Sequence, residues 1–138
     1  MTNEQARLEV IKAAYVPKHA TEEEFAEMLP FIDTKTGWFH CIEYSRATGK
    51  TAKWYKEFLP YELRHLSDNN GWIRIEPDGS NLPEVGRHKV CNIERLNLLP
   101  ESELMLAQTF SSDSVGDLFE KKIITHYKPI TEEPKPIY

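Results

Sequence analysis

The five residues Ser67-Asp68-Asn69-Asn70-Gly71 divide this chain near its middle. Each favours a turn, and neither a helix nor a strand runs easily through such a cluster. The residues on either side must therefore form their elements separately. Before the break, apolar residues recur mainly at helical spacing, with one strand-like run. After the break, they alternate as in strands.

Two helices are expected at the start. Thr2 with Gln5 and Thr21 with Glu24 both have capping-box spacing. Leu8, Ile11 and Tyr15 form one apolar face, and Pro17 ends that helix. Glu22, Glu23 and Glu24 suit the positive end of a second helix dipole. Phe25, Met28 and Leu29 face inward, and Pro30 stops the helix. Residues 37–44 alternate as a strand, with Trp38, His40, Ile42 and Tyr44 on one side. Ala47-Thr48-Gly49-Lys50 follows as a turn. In 51–66, Trp54, Phe58 and Leu59 suit a helix, and Pro60 could open a further helical turn carrying Leu63 and Leu66.

Beyond the break, strands are expected at 72–76, 88–93, 104–110 and 123–127. Loops are expected at 77–86 and 111–114. Pro129, Pro134 and Pro136 make 128–138 an extended, irregular tail. The expected fold is α+β, with short N-terminal helices packed with a small antiparallel sheet. Residues 1–70 and 71–138 stand as two domains or as one compact unit.

Composition narrows the function. At 138 residues, 40% hydrophobic and 28% charged, the chain can bury a real core. Its formal charge of −5 argues against general nucleic-acid binding, which needs a basic face. No apolar run approaches the roughly 18 residues of a membrane span. The polar start Met1-Thr2-Asn3-Glu4-Gln5 lacks a signal-peptide pattern, so a cytoplasmic location without membrane association is expected. Cys41 and Cys91 are far apart and lie in apolar stretches, which reads as two reduced core thiols.

No motif fixes a reaction. Gly49-Lys50-Thr51 ends like a phosphate-binding loop, but Tyr44 stands where that motif needs its first glycine. His19, His40, His65, His88 and His126 form no metal-binding pair. A zinc site would have to be gathered from distant residues such as His40, His88, His126 and Cys91. Asp113, Ser114 and His126 could be imagined as a triad, yet no glycine-framed serine supports it. Aspartates 33, 68, 78, 113 and 117 lie in turns, where they serve the backbone. No catalytic residue, metal ligand or cofactor is assigned.

The aromatic residues say more. Trp38, Phe39, Tyr44, Trp54, Tyr55, Phe58 and Tyr61 crowd 38–61, interleaved with Arg46, Lys50, Lys53, Lys56 and Arg64. Rings beside cations can hold an anionic ligand or an acidic partner surface. The candidate binding residues are Trp38, Arg46, Lys50, Lys53, Trp54 and Tyr55. The plainer reading is that the rings build the core and the lysines solvate its outer face.

From Gly71 onward, three patterns stand in order. Trp72-Ile73-Arg74-Ile75-Glu76 leads to Leu82-Pro83-Glu84-Val85-Gly86 and then Lys89-Val90-Cys91. The chain closes on Thr125-His126-Tyr127-Lys128-Pro129 and Glu132-Glu133-Pro134-Lys135-Pro136. This half resembles a phage and prophage domain family of unknown function. That family has a Trp-Ile strand, a Leu-Pro-Glu-x-Gly turn and a Thr-His-Trp-x-Pro tail. Here Tyr127 replaces the tryptophan, residues 77–81 lengthen the first loop, and 93–123 and the first seventy residues show no match. The family supplies no catalytic residues. The motif residues Trp72, Leu82, Pro83, Gly86, His126 and Tyr127 read as structural rather than binding, because a rigid proline–glycine turn and a terminal strand account for them without a ligand.

The resemblance implies a phage or prophage accessory protein in the cytoplasm of a bacterial host. The leading expectation is a non-catalytic binding protein that occupies a host protein, as an anti-defence inhibitor would. The alternatives are sequestration of a small anionic ligand, such as a signalling nucleotide, and a small hydrolase. The apolar tail positions Ile130, Ile137 and Tyr138 make an arm that can fold back on its own domain or reach a neighbouring subunit, and a homo-oligomer is expected.

Overall fold

The computed structural model describes residues 1–95, 108–130 and 136–138. The fold is α+β, with four α-helices and two antiparallel sheets among the described residues. It divides into two compact units, Thr2–Asn70 and Gly71–Tyr138. No helix among the described residues is long and apolar enough to cross a membrane.

The first unit opens with α1 (Asn3–Tyr15) and α2 (Glu22–Met28). Both have reciprocal capping boxes. The Thr2 hydroxyl accepts from the Gln5 amide at 3.2 Å while the Gln5 side chain accepts from the Thr2 amide at 2.8 Å. Thr21 and Glu24 repeat this at 3.1 and 3.2 Å. Each box satisfies amides that a helix start leaves without carbonyl partners. Beyond a 3₁₀ turn at Leu29–Phe31, β1 (Phe39–His40) pairs antiparallel with β2 (Glu57–Phe58).

Between these strands lies α3 (Cys41–Thr48), where a continuing strand was expected. The correction has a burial reason. Cys41 and Tyr44 are buried while Ile42 and Glu43 are exposed, a three-residue step that only a helix provides. A strand would have turned Glu43 inward beside Cys41. Gly49 then closes α3 at φ 72°, donating its N–H to the Ser45 carbonyl at 2.9 Å. The expected turn is thus a helix cap. The helix expected around Trp54 and Phe58 is also absent, because this segment is the partner strand that β1 requires. The Cys41 amide donates to the Lys56 carbonyl at 2.9 Å, and Lys56 takes φ 59°. The tertiary pairing overrides the local helical pattern. Pro60 does open a 3₁₀ turn, Tyr61–Leu63.

Tyr15 is fully buried at the centre of this unit. Its ring meets Phe25 at 5.9 Å and Phe58 at 6.0 Å. Its hydroxyl donates to the Gly37 carbonyl at 2.7 Å, and the Phe58 carbonyl lies 3.4 Å away. A side chain at Gly37 would be strained. The residue's φ is +88°, and a Cβ there would stand 2.7 Å from the Leu63 side chain.

The second unit is a four-stranded sheet of order β3-β6-β4-β5, comprising β3 (Ile73–Arg74), β4 (Arg87–Cys91), β5 (Phe110–Ser111) and β6 (His126–Pro129). The first and last strands pair, with Ile73 opposite Tyr127 and Arg74 opposite His126. Central β6 also pairs with β4, setting Val90 against Tyr127 and Cys91 against His126. α4 (Ser112–Glu120) packs Val115 into a core with Ile75, Val90, Ile124 and Tyr127. Two expectations change here. Residues 111–114 form the cap and first turn of α4, because the Ser111 hydroxyl accepts from the Ser114 amide. The last strand also runs on into the tail. Lys128 and Pro129 pair with β4, and the Ile130 amide donates to the Arg87 carbonyl at 3.1 Å. Residues 104–107 of the expected third strand, and 131–135 of the tail, lie outside the described residues.

Asn81 caps the outer edge of β3. Its side-chain amide donates to the Arg74 carbonyl at 2.8 Å, and its oxygen accepts from the Glu76 amide at 2.7 Å. One side chain thereby stands in for the peptide unit of a further strand. Its own carbonyl accepts from the Tyr127 hydroxyl at 2.7 Å.

Two stability outcomes follow from this bonding. Tyr15→Phe strands the Gly37 carbonyl and should lower unfolding stability by about 1–3 kcal/mol, read by urea titration with tryptophan fluorescence. Asn81→Ala should cost about 1–2 kcal/mol and raise aggregation measured by light scattering, since it bares a strand edge. Unchanged midpoints in either variant would contradict the assigned role.

Candidate functional site

An open groove of about 600 Å³ runs between α3 and the irregular, bent segment 51–56 of the first unit. Helical spacing sets its first wall, because Ile42, Ser45 and Arg46 share a face at steps of three and four residues. The second wall is Thr51, Ala52, Trp54, Tyr55 and Lys56. Cys41 lies at the bottom, 2% exposed, and burial pushes its thiol pKa up, which keeps it protonated.

Trp54 is half-buried. One face of its indole stacks on Phe58 at 4.0 Å, and its edges meet Phe39 and His19, each at 6.1 Å. It therefore serves the core and the groove together. Tyr55 points the other way, 86% exposed, with the Lys56 ammonium 5.6 Å from its ring centroid. Ile42 is 46% exposed. The groove thus offers an aliphatic side chain, an aromatic ring and two cations, with no carboxylate among its lining residues.

The six candidate binding residues separate. Arg46, Trp54 and Tyr55 meet in the groove; Trp38, Lys50 and Lys53 do not line it. Lys50 reaches α2, where Glu27 holds it at 2.6 Å and raises its pKa. Lys53 lies 3.6 Å from Glu24 and donates to the His19 carbonyl at 3.0 Å. The Glu24 carboxyl titrates below its usual range, first through the Thr21 amide and then through Lys53. Lys12 and Lys18 likewise meet Glu22 and Glu62. Arg46 and Lys56 have no ion pair among the described residues. The sequence had isolated neither Ile42 nor Ser45, whose place in the groove depends on the α3 helix. Lys56 was visible only as part of the basic run.

The phosphate-loop resemblance of Gly49-Lys50-Thr51 fails on polarity. Such a loop leads into a helix N-terminus, whereas these residues follow the C-terminus of α3, where the dipole repels anions.

In the second unit, Trp72 is half-buried with the Lys128 ammonium 6.0 Å from its ring centroid. Leu82 packs on the core, Pro83 is half-buried, and Gly86 takes φ 97°. His126 and Tyr127 are buried. His126 Nδ1 sits 2.8 Å from the Thr125 hydroxyl, while Ser114 Oγ bonds to Ser111 Oγ, so the imagined triad finds its partners elsewhere. His88 packs edge-on to Tyr127 at 5.5 Å. The Cys91 thiol is pushed up to about 11 by burial. Among the described residues, no three His, Cys, Asp or Glu side chains gather to hold a metal.

Burial, followed by the nearby Arg74 charge, lowers the His126 pKa from 6.5 to about 4. The folded protein therefore binds fewer protons here than the unfolded chain does. The stability from neutral His126 is complete above pH 6.5 and is lost as pH falls from there towards 4. That loss should reach about 3 kcal/mol, and His126→Gln should flatten this part of the pH profile of urea midpoints. Parallel profiles for the two proteins would refute the assignment.

Comparisons with protein-family models, curated proteins and solved structures return no match, so the family resemblance stands on the quoted motifs alone.

Proposed function

We propose that this chain is a phage or prophage accessory protein that works by binding, and that its groove takes an acidic, apolar-bearing segment of a host protein. One observation carries the reading. Lys12, Lys18, Lys50 and Lys53 of the first unit pair with its own acids, while Arg46 and Lys56 line a groove with exposed Ile42 and Tyr55, have no ion pair among the described residues, and meet no carboxylate in the groove lining. Cations at a rim attract and orient an acidic partner; an aromatic anchor supplies contact area at low entropy cost. The open form of the groove suits a chain segment better than an enclosed small molecule. Occupation of a host protein, including one that serves defence, requires no chemistry from the binder.

The test is capture from bacterial lysate with wild type, Arg46→Glu and Tyr55→Ala, read by mass spectrometry. A stoichiometric partner should be retained by wild type and lost by roughly tenfold or more in each variant. Its capture should also weaken with added salt. Equal capture by all three proteins would overturn the groove assignment. A thermal shift with nucleotides that disappears in Tyr55→Ala would replace the protein partner with a small anion stacked on that ring.

A further inference from the structure

We propose that the acidic group selected by this groove is a phosphomonoester on a side chain of the host protein, so that the partner is bound in its phosphorylated form. This rests on the groove's being a site for acidic, apolar-bearing segments. Charge sets the first condition. Arg46 and Lys56 have no ion pair among the described residues, and no carboxylate lines the groove with them. Two uncompensated cations match the charge of about −2 that a phosphoryl group carries near neutral pH, whereas a carboxylate brings a single negative charge. The supply of donors sets the second condition. The Ser45 hydroxyl lines the same groove and has no hydrogen-bond partner among the described residues. A guanidinium fork matches both oxygens of a carboxylate; a phosphoryl group offers a third oxygen, which the further cation and the hydroxyl can meet.

The backbone brings these groups to one place. The Cys41 amide donates to the Lys56 carbonyl at 2.9 Å, which holds residue 56 beside the start of α3. Side chains on a helix lean towards its start, so Ser45 and Arg46 reach away from the negative end of α3 and towards that same region. The neighbouring lysines do not compete for the ligand, because Glu27 engages Lys50 and Glu24 engages Lys53. Exposed Ile42 and Tyr55 stand in the same lining. They give apolar contact to residues that flank the phosphorylated one, which favours a chain segment over a free anion. A cation set that reads the phosphoryl group beside an apolar surface that reads its neighbours is a general means of recognising a modified segment.

Fluorescence anisotropy with the full chain tests this. The probes are labelled, capped pentapeptides that carry phosphoserine, phosphotyrosine, glutamate or serine between isoleucines, with inorganic phosphate as a competitor. The better phosphopeptide should bind about tenfold or more tighter than the glutamate and serine peptides. Arg46→Gln and Lys56→Gln should each weaken it by about tenfold, with unchanged circular dichroism, since both side chains are exposed. Ser45→Ala should narrow the preference for phosphate and leave the glutamate peptide unaffected. In a second arm, phosphatase treatment of the lysate should abolish capture of the partner. Glutamate and phosphopeptides of equal affinity, no binding of either phosphopeptide, or capture that survives the phosphatase would overturn the proposal. Inorganic phosphate as tight as the phosphopeptides would replace the segment with a small anion. If capture survives the phosphatase but still depends on Arg46, only the phosphate preference falls and the groove keeps its partner. If the phosphopeptides bind through Arg46 but the lysate yields no partner, only the host-protein reading falls.

Discussion

The Tyr15 hydroxyl is the bond around which the first unit is arranged. It leaves the end of α1 and donates to the carbonyl of Gly37, just ahead of β1, with the Phe58 carbonyl of β2 close by. A buried carbonyl without a donor is costly, so this contact fixes the approach of the helix to both strands. Glycine suits position 37 because its φ is +88° and a Cβ there would crowd the Leu63 side chain. The ring stacking of Phe58 on Trp54 then carries that order out to the groove wall. The groove thus depends on a bond between residues, Tyr15 and Gly37, that do not line it.

The charges of the same unit follow from its architecture. α2 presents Glu24 and Glu27 towards the lysines of the following segment, so Lys50 and Lys53 serve the fold. α3 instead places Arg46 in the groove lining, which Lys56 shares. A basic run that looks uniform in sequence is thereby split into cations that are neutralised at home and cations left available. These are exposed pairs, and their value lies in where they leave the remaining charge rather than in stability.

The second unit is organised by its last strand. β6 occupies the interior of the sheet between β3 and β4, so residues late in the chain complete a core begun fifty residues earlier. Tyr127 connects three parts of it: opposite Val90, opposite Ile73, and bonded to the carbonyl of Asn81. Asn81 in turn closes the sheet edge. The motif positions Trp72, His126 and Tyr127 therefore have ample structural work.

Local chemistry was legible in the sequence. Both capping boxes, the burial of Ile11 and Tyr15, the central turn, the α+β class and strands near 73, 90 and 126 could be read from residues close to one another. These depend on short-range bonds and periodicity, which the sequence displays directly. Three features were decided only by tertiary structure. Cys41–Thr48 became a helix because Glu43 could not be turned into the core. Residues 57–58 became a strand because β1 needed a partner. The groove joined Ile42 and Arg46 to Tyr55 and Lys56 because α3 and the following segment were brought together by that pairing. The sequence by itself determined which residues carry charge and aromatic surface. Long-range pairing determined which of them share a surface, since contact between distant positions depends on how the intervening chain is satisfied.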